Sequence, residues 1–178
     1  NDPDLALDET TTGGGSATTT FLKARKRLLN GEHATAVDLF AKVARDSNTQ
    51  QPTLNWALFN EGLGCLLIND EQRATRAFQR IVRGGVYSKS GKDLDLVTFF
   101  LDSAKLAQSK DPYKTEDIAP FRGKLNHQSM GLLVMGVRRW GLGDTTGATL
   151  LGEFAEAKTT ADTKWLERYK KLTEPFLE

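Results

Sequence analysis

The amino-acid sequence predicts an all-α fold in which antiparallel helix hairpins stack side by side. Three observations support this fold class. Apolar residues recur at intervals of three and four from Phe21 onward, as on one buried helix face. No sustained stretch alternates apolar and polar residues in the manner of a β-strand. Small residues also recur at matched places, at steps of 37 or 38 residues.

The helical segments follow from the lines of apolar residues. A clear example is Val37, Phe40 and Ala44, whose spacing of three and four places them on one face. Comparable lines begin at Leu54, Ala74, Leu94, Met130, Leu150 and Trp165. The sequence therefore predicts helices along almost the whole chain after residue 20.

The predicted turns between helices share one pattern of residue types. A Gly or Asn followed by an acid stands at the same distance before an alanine in three places. A Gly or Asn tolerates the left-handed conformation that ends a helix, and an acid is favoured at the start of the next helix. The three pairs are Gly31-Glu32, Asn69-Asp70 and Gly143-Asp144, and the alanines are Ala36, Ala74 and Ala148.

Each of these alanines has a small residue twelve positions before it. Those residues are Ala24, Gly62 and Gly136. Because two helices approach closely only where small residues face each other, we interpret each segment as a helix–turn–helix unit. The predicted organisation is a disordered acidic Thr/Gly tether over residues 1–20, four units over about 21–50, 53–84, 92–124 and 127–158, and a capping helix over 160–177. The third unit is degenerate, because Pro120 and Gly123 interrupt its second helix.

The predicted units resemble the tetratricopeptide repeats. Ala36 with Phe40, and Ala74 with Phe78, match the Ala-x3-Phe element of that family's second helix. Gly62 matches the small position of the first helix. In the last unit Gly152 stands where the phenylalanine is expected, and the period exceeds the usual 34 residues of this family. The resemblance implies a right-handed α–α superhelix that binds a protein or peptide along its concave face.

On this resemblance the concave face is lined by first helices. The residues expected to bind a partner are Arg25, Trp56, Phe59, Leu63, Val137 and Trp140. Aromatic side chains in an apolar groove would anchor a helix or an extended peptide. The alternative is that residues 53–68 form a central helix that is apolar all round because it is buried.

An arginine row offers a second binding hypothesis. Its members are Arg73, Arg76, Arg80 and Arg83, whose spacing places them on one face of a helix. Guanidinium groups bind carboxylates and phosphates bidentately, so the row would suit an acidic protein, an anionic membrane or RNA. The alternative is a solvated outer face whose arginine stems cover apolar surface.

Several function classes are disfavoured by composition. The chain has 178 residues and a net charge of +1, so a general attraction to nucleic acid is not expected. The one cysteine, Cys65, is expected to be packed, and His33 and His127 lie 94 positions apart without metal-ligand spacing. No apolar run approaches the roughly 20 residues of a membrane-spanning helix. We therefore expect no catalysis, metal or cofactor, and leave self-association open.

The first twenty residues suggest where the protein is found. They contain four acids and no Lys or Arg, and two threonine clusters flank Gly13, Gly14 and Gly15. Such a composition is too polar to form a packed core. A flexible stretch of this kind would suit attachment to an anchor upstream, which favours an exported or envelope-associated protein over a cytoplasmic one.

Overall fold

The computed structural model describes residues 16–83, 91–122 and 127–177. Regular structure within these ranges is helical, with no strand, which confirms the all-α prediction. The helices are α1 (Ser16–Leu29), α2 (His33–Arg45), α3 (Thr53–Leu67), α4 (Glu71–Arg83), α5 (Gly91–Gln108), α6 (Thr115–Ile118), α7 (Met130–Gly141), α8 (Thr146–Glu156), α9 (Leu166–Tyr169) and α10 (Glu174–Leu177).

Helix α3 lies at the centre of the fold. It packs against its sequence neighbours α2 and α4, and also against α1, α5 and α7. Every residue from Asn55 to Cys65 is consequently buried. This burial on all sides explains why the helix is apolar all round rather than amphipathic.

Three interhelical turns are built in the same way. Gly31, Asn69 and Gly143 have φ values of 88°, 61° and 77°, in the left-handed region that the sequence predicts for them. In each turn the backbone N–H of the following acid donates to the carbonyl five residues earlier, at 2.9 Å. This is the Schellman arrangement, which satisfies the last carbonyls of the first helix. The pairs are Glu32 with Arg27, Asp70 with Cys65 and Asp144 with Arg139.

Small residues in the first helices allow close helix contact, as predicted. A Cβ atom at Gly136 of α7 would lie 2.7 Å from Leu151 Cγ of α8. A Cβ atom at Gly62 of α3 would meet the ring of Phe78 in α4 at less than 3.0 Å. Both glycines lie seven residues before the left-handed residue of their turn. The two hairpins therefore share one contact geometry.

The predicted register of the last unit is wrong by one residue. Ala148 is half-buried, whereas Gly147 is buried against the backbone of α7. The buried residues of α8 each lie one position earlier than alignment with α4 predicts. They are Gly147, Leu150, Leu151 and Phe154. Leu151 therefore takes the place of Phe78, and Gly152 carries no packing role. A glycine at 147 allows closer approach than alanine, which explains the shift.

In the part of the third unit that the structure describes, residues 91–122, there is one long helix and no complete second helix. Helix α5 is followed by the four-residue helix α6 and by a 3₁₀ turn over Ala119–Phe121 that contains Pro120. The proline lacks an N–H, so it ends the α-helical hydrogen bonding there. The predicted interruption at Gly123 lies outside the described residues.

The chain termini differ from the prediction. Residues 16–20 of the predicted tether belong to α1, because the helix held by the buried Phe21, Ala24 and Leu28 extends at low cost towards its N-terminus. The rest of that tether lies outside the described residues. The predicted capping helix over 160–177 is a series of short pieces: a 3₁₀ turn over Ala161–Thr163 precedes α9, and a second over Lys170–Thr173 separates α9 from α10. One break coincides with Thr173, whose hydroxyl donates to the carbonyl of Lys170 at 2.7 Å.

Candidate protein-binding surface

Five of the six residues predicted to bind a partner are buried in the fold. Arg25 and Val137 are 4% and 3% exposed, and the other three have no exposed surface: Trp56, Phe59 and Leu63. These side chains offer no surface to a partner in this conformation, which corrects the predicted groove. The alternative in which α3 is a buried central helix accounts for Leu63.

The face of α3 that the family resemblance leaves open is covered by later parts of the chain. Trp56 makes edge contacts with Phe100 of α5 and with Trp165, at ring-centroid distances of 4.9 and 5.5 Å. One turn further along α3, Asn60 Oδ1 accepts a hydrogen bond of 2.8 Å from the Tyr169 hydroxyl. Residues 44 positions later in α5 and more than 100 positions later near the C-terminal end therefore fill the predicted groove.

Trp140 is the predicted partner-binding residue that the structure leaves exposed. Its side chain is 45% exposed, although the preceding residues of α7, from Met130 to Arg139, are buried. Its ring meets the ring of Phe176 edge-on, at 5.2 Å between centroids. Leu142, two residues after Trp140, and Leu177, directly after Phe176, are 38% and 43% exposed. We refer to Trp140, Leu142, Phe176 and Leu177 as the Trp140 surface.

Sequence reasoning missed three residues of the Trp140 surface. Leu142 lies in the turn after α7, and Phe176 and Leu177 lie at the end of the described chain. For Leu142 the available signal was its position beyond the end of α7, where the partner helix of the hairpin does not cover it. A free apolar cluster of this kind typically marks an interaction site.

The arginine row is partly used within the fold. Arg73 Nη1 lies 3.1 Å from Asp38 Oδ1 of α2, and its Nε lies 3.6 Å from Glu61 Oε2 of α3. Arg80 is exposed, and its Nη2 donates to the carbonyl of Ala44 at 3.0 Å. Arg76 is exposed. The side chain of Arg83 lies outside the described residues.

Glu61 is a buried acid beside this row. Burial raises the pKa of its carboxyl, and the positive charges of Arg73, Arg80 and Arg45 counteract part of that effect. Glu61 in turn contributes, after burial, to raising the pKa of the Cys65 thiol to about 12. Arg73 thus serves a structural ion pair, which leaves Arg76 and Arg80 as the exposed arginines among the three members of the row whose side chains are described.

Two further buried arginines hold the connection after α5. Arg139 Nη1 donates to the carbonyl of Asp111 at 2.8 Å, and its guanidinium lies 4.9 Å from the ring centre of Tyr113. Arg138 donates to the carbonyl of Ser109 at 3.3 Å and to Glu71 Oε1 at 3.2 Å. These contacts fix the segment between α5 and α6. They thus do for that segment what a complete second helix of the third unit would otherwise do. The sequence placed them simply in a helix, without this role.

The described residues contain no grouping of three His, Cys, Asp or Glu side chains suited to a metal ion. Cys65 is buried and has no disulfide partner. The ring of His127 meets the rings of Phe99 and Trp56 edge-on, at 5.0 and 6.2 Å. His33 is the first residue of α2, and burial lowers the pKa of its imidazole.

None of the helices in the described ranges combines the length and apolar character needed to cross a membrane. Comparison of the chain with protein-family models, with curated proteins and with solved structures finds no match.

Proposed function

We propose that this protein is a non-enzymatic scaffold of stacked, tetratricopeptide-like helical hairpins that binds a protein partner. The Trp140 surface is the contact region, and the partner contributes an apolar segment. The observation that carries the proposal is the exposure of a tryptophan at 45% in contact with Phe176. Tryptophan is the residue most enriched among binding hot spots, and exposed apolar clusters mark interaction sites.

The repeated turns support the scaffold part of the proposal. Three hairpins end their first helix in the same Schellman turn, and two share the close contact at a glycine. Repetition of one hairpin geometry is typical of arrays that present a surface to partners. The superhelical arrangement of the tetratricopeptide family is part of this proposal.

The test is affinity capture from the native organism with the full chain, followed by measurement of the dissociation constant for each captured protein. Trp140→Ala should weaken the specific partner at least about 30-fold, the loss typical of a hot spot. Ile68→Ala is a matched control, because Ile68 is 36% exposed and, like Leu142, precedes a left-handed residue. Equal affinity of both variants would refute the role of the Trp140 surface.

The second candidate function is an anion-directed module that uses the exposed Arg76 and Arg80. Its ligand would be an acidic protein, an anionic membrane or RNA. Binding through these residues should weaken steeply with salt, whereas apolar binding should change little. A ligand lost in Arg76→Ala with Arg80→Ala, but retained in Trp140→Ala, would favour this second function.

A further inference from the structure

The arginine row of α4 lies alongside α2. In the first half of α2, Asp38 Oδ1 lies 3.1 Å from Arg73 Nη1. Nearly two turns later, the carbonyl of Ala44 accepts a hydrogen bond of 3.0 Å from Arg80 Nη2. The paired residues are 35 and 36 positions apart in the chain, so the offset is nearly constant. The two helices therefore run side by side in the same direction.

Helix α2 adds two cations to this row. Lys42 and Arg45 follow Asp38 by four and seven residues, so they lie on the face of α2 that is next to α4. Both side chains are exposed. Together with the exposed arginines of α4 they form one surface. We refer to it as the basic patch, and its members are Lys42, Arg45, Arg76 and Arg80.

The acids on the same two helix faces are engaged elsewhere. Asp38 pairs with Arg73, and Asp46 Oδ1 accepts a hydrogen bond of 2.9 Å from the backbone N–H of Asn48. Within the described ranges, no member of the basic patch forms an ion pair with an acid. Four like charges are thus placed together, and an acidic ligand would offset their mutual repulsion.

The first part of the sequence has the opposite charge. We define the acidic segment as residues 1–15, which contain none of the 24 lysines and arginines of the chain. The rest of the chain consequently carries an excess of positive charge, and the two parts attract each other. The acids of the segment are Asp2, Asp4, Asp8 and Glu9.

The acidic segment joins the fold at the end of α2 that carries the basic patch. Helices α1 and α2 form an antiparallel hairpin in which the rings of Phe21 and Phe40 meet at 5.5 Å between centroids. Ser16 stands five residues before Phe21, and Arg45 stands five residues after Phe40. The start of α1 therefore lies level with Arg45, at about 10 Å, the usual spacing of packed helices.

The acidic segment is long enough to cover the patch. Glu9 lies seven residues before Ser16, and the other three acids lie further away along the chain. Seven extended residues span about 23 Å. From Arg45 the patch extends along α2 by about one helical turn, roughly 5 Å. The acids can therefore reach the cations without a change in the described helices.

We propose that the acidic segment binds the basic patch of the same chain, its carboxylates pairing with the guanidinium and ammonium groups. A single exposed ion pair contributes little, so the contact depends on several pairs together and weakens with salt. The inference goes beyond the proposed function and does not rest on the Trp140 surface. For the second candidate function it identifies a competitor, because an external anion must displace the segment from Arg76 and Arg80.

The first experiment compares the NMR spectra of two full chains. One is the parent, and in the other the four acids of residues 1–15 are replaced by Asn or Gln. At about 50 mM NaCl the backbone amide and arginine Nε–Hε signals of the basic patch should differ between them. At about 500 mM NaCl most of this difference should be lost through screening. Differences confined to residues 1–20, or centred on Lys23 and Lys26 of α1, would overturn the proposal.

The second experiment follows the signals of residues 1–15 in full chains with altered cations. Lys42→Gln with Arg76→Gln should remove about half of the salt-dependent shift of these signals, because two of the four cations are lost. Neither side chain makes a hydrogen bond within the described ranges, so the fold should persist. Lys23→Gln with Lys26→Gln is the matched control, since both lysines are exposed and the same charge is removed.

The control chain should retain most of the salt-dependent shift. Equal losses in the two chains would overturn the inference, because net charge and not the basic patch would then act on the acidic segment. Neither experiment alters the Trp140 surface. Failure of the segment to bind would therefore leave partner capture through Trp140 unaffected, and loss of that capture would leave the NMR differences unaffected.

Discussion

Gly147 of α8 lies directly against the backbone of Trp140 in α7. A Cβ atom at Gly147 would be 2.9 Å from Trp140 Cα and 2.9 Å from the carbonyl oxygen of Gly136. A side chain can relieve a close contact by changing its rotamer, whereas backbone atoms cannot. The two helices can therefore hold this separation only with glycine at position 147.

Gly147→Ala should consequently destabilise the fold. We expect a loss of about 1–3 kcal/mol in the free energy of unfolding, because α8 must move away from α7. Gly152→Ala in the same helix is the matched control, since its Cβ would meet nothing within 4 Å. That change should stabilise by about 0.5–1 kcal/mol through helix propensity. Urea denaturation measures both, and a loss at position 152 equal to that at 147 would contradict the contact.

Arg139 and Arg27 occupy equivalent places before two of the repeated turns but should differ in how much they contribute to the free energy of unfolding. Arg139 is buried, and its Nε lies 3.0 Å from Asp144 Oδ2. Arg27 is exposed and lies 2.7 Å from Glu32 Oε1. Arg139→Met should cost about 3 kcal/mol, because Asp144 and the carbonyl of Asp111 lose a donor.

Arg27→Met is the control for that change. An exposed ion pair contributes at most about 1 kcal/mol, so the unfolding free energy should change little. Thermal and urea unfolding of the two variants measure the difference. Similar losses at both positions would show that burial of Arg139 does not determine its contribution.

The pH dependence of stability should carry opposite contributions from Glu61 and Glu71. Burial raises the pKa of Glu61 above 4.5, whereas the hydrogen bond from Arg138 lowers the pKa of Glu71 below that value. The contribution of Glu61 is present below its ordinary pKa and decreases as the pH rises through the raised value. The contribution of Glu71 is present above its ordinary pKa and decreases as the pH falls through the lowered value.

Replacement by glutamine removes each contribution. We therefore compare the unfolding free energy of each variant with that of the parent at the same pH. For Glu61→Gln this difference should favour the variant more at pH 7 than at pH 4. For Glu71→Gln it should favour the variant less at pH 7 than at pH 4. Urea unfolding at the two pH values measures these differences. The same direction of change in both variants would contradict the assigned pKa shifts.

Cys65 should be almost unreactive in the folded protein. Its thiol is fully buried, and its pKa is raised to about 12, so the thiolate is scarce at pH 8. Alkylation by iodoacetamide should proceed only through opening of the fold and should accelerate in urea in parallel with unfolding. A Cys65→Ser chain with Gln72→Cys is the control, because position 72 is exposed and should react at the rate of a free thiol. Equal native rates at positions 65 and 72 would contradict the packing of α3.

Local features of the fold could be predicted from the sequence because they depend on neighbouring residues. Gly31, Asn69 and Gly143 adopt the left-handed turns expected of them, since few other residues tolerate that conformation. Gly62 and Gly136 mark close helix contacts for a similar reason. The shift to Gly147 was missed because two adjacent small residues, Gly147 and Ala148, both satisfy the local pattern.

The sequence by itself determined the helical class, the turns and the residues apolar enough to be buried. Only the tertiary structure decided which apolar residues remain accessible. Trp56 is covered by Phe100 of α5 and by Trp165, which come from later parts of the chain. Trp140 lies near a helix end, where Phe176 covers one side of its ring. Periodicity specifies a helix face but not its neighbour, because the neighbour is set by contacts between residues distant in the chain.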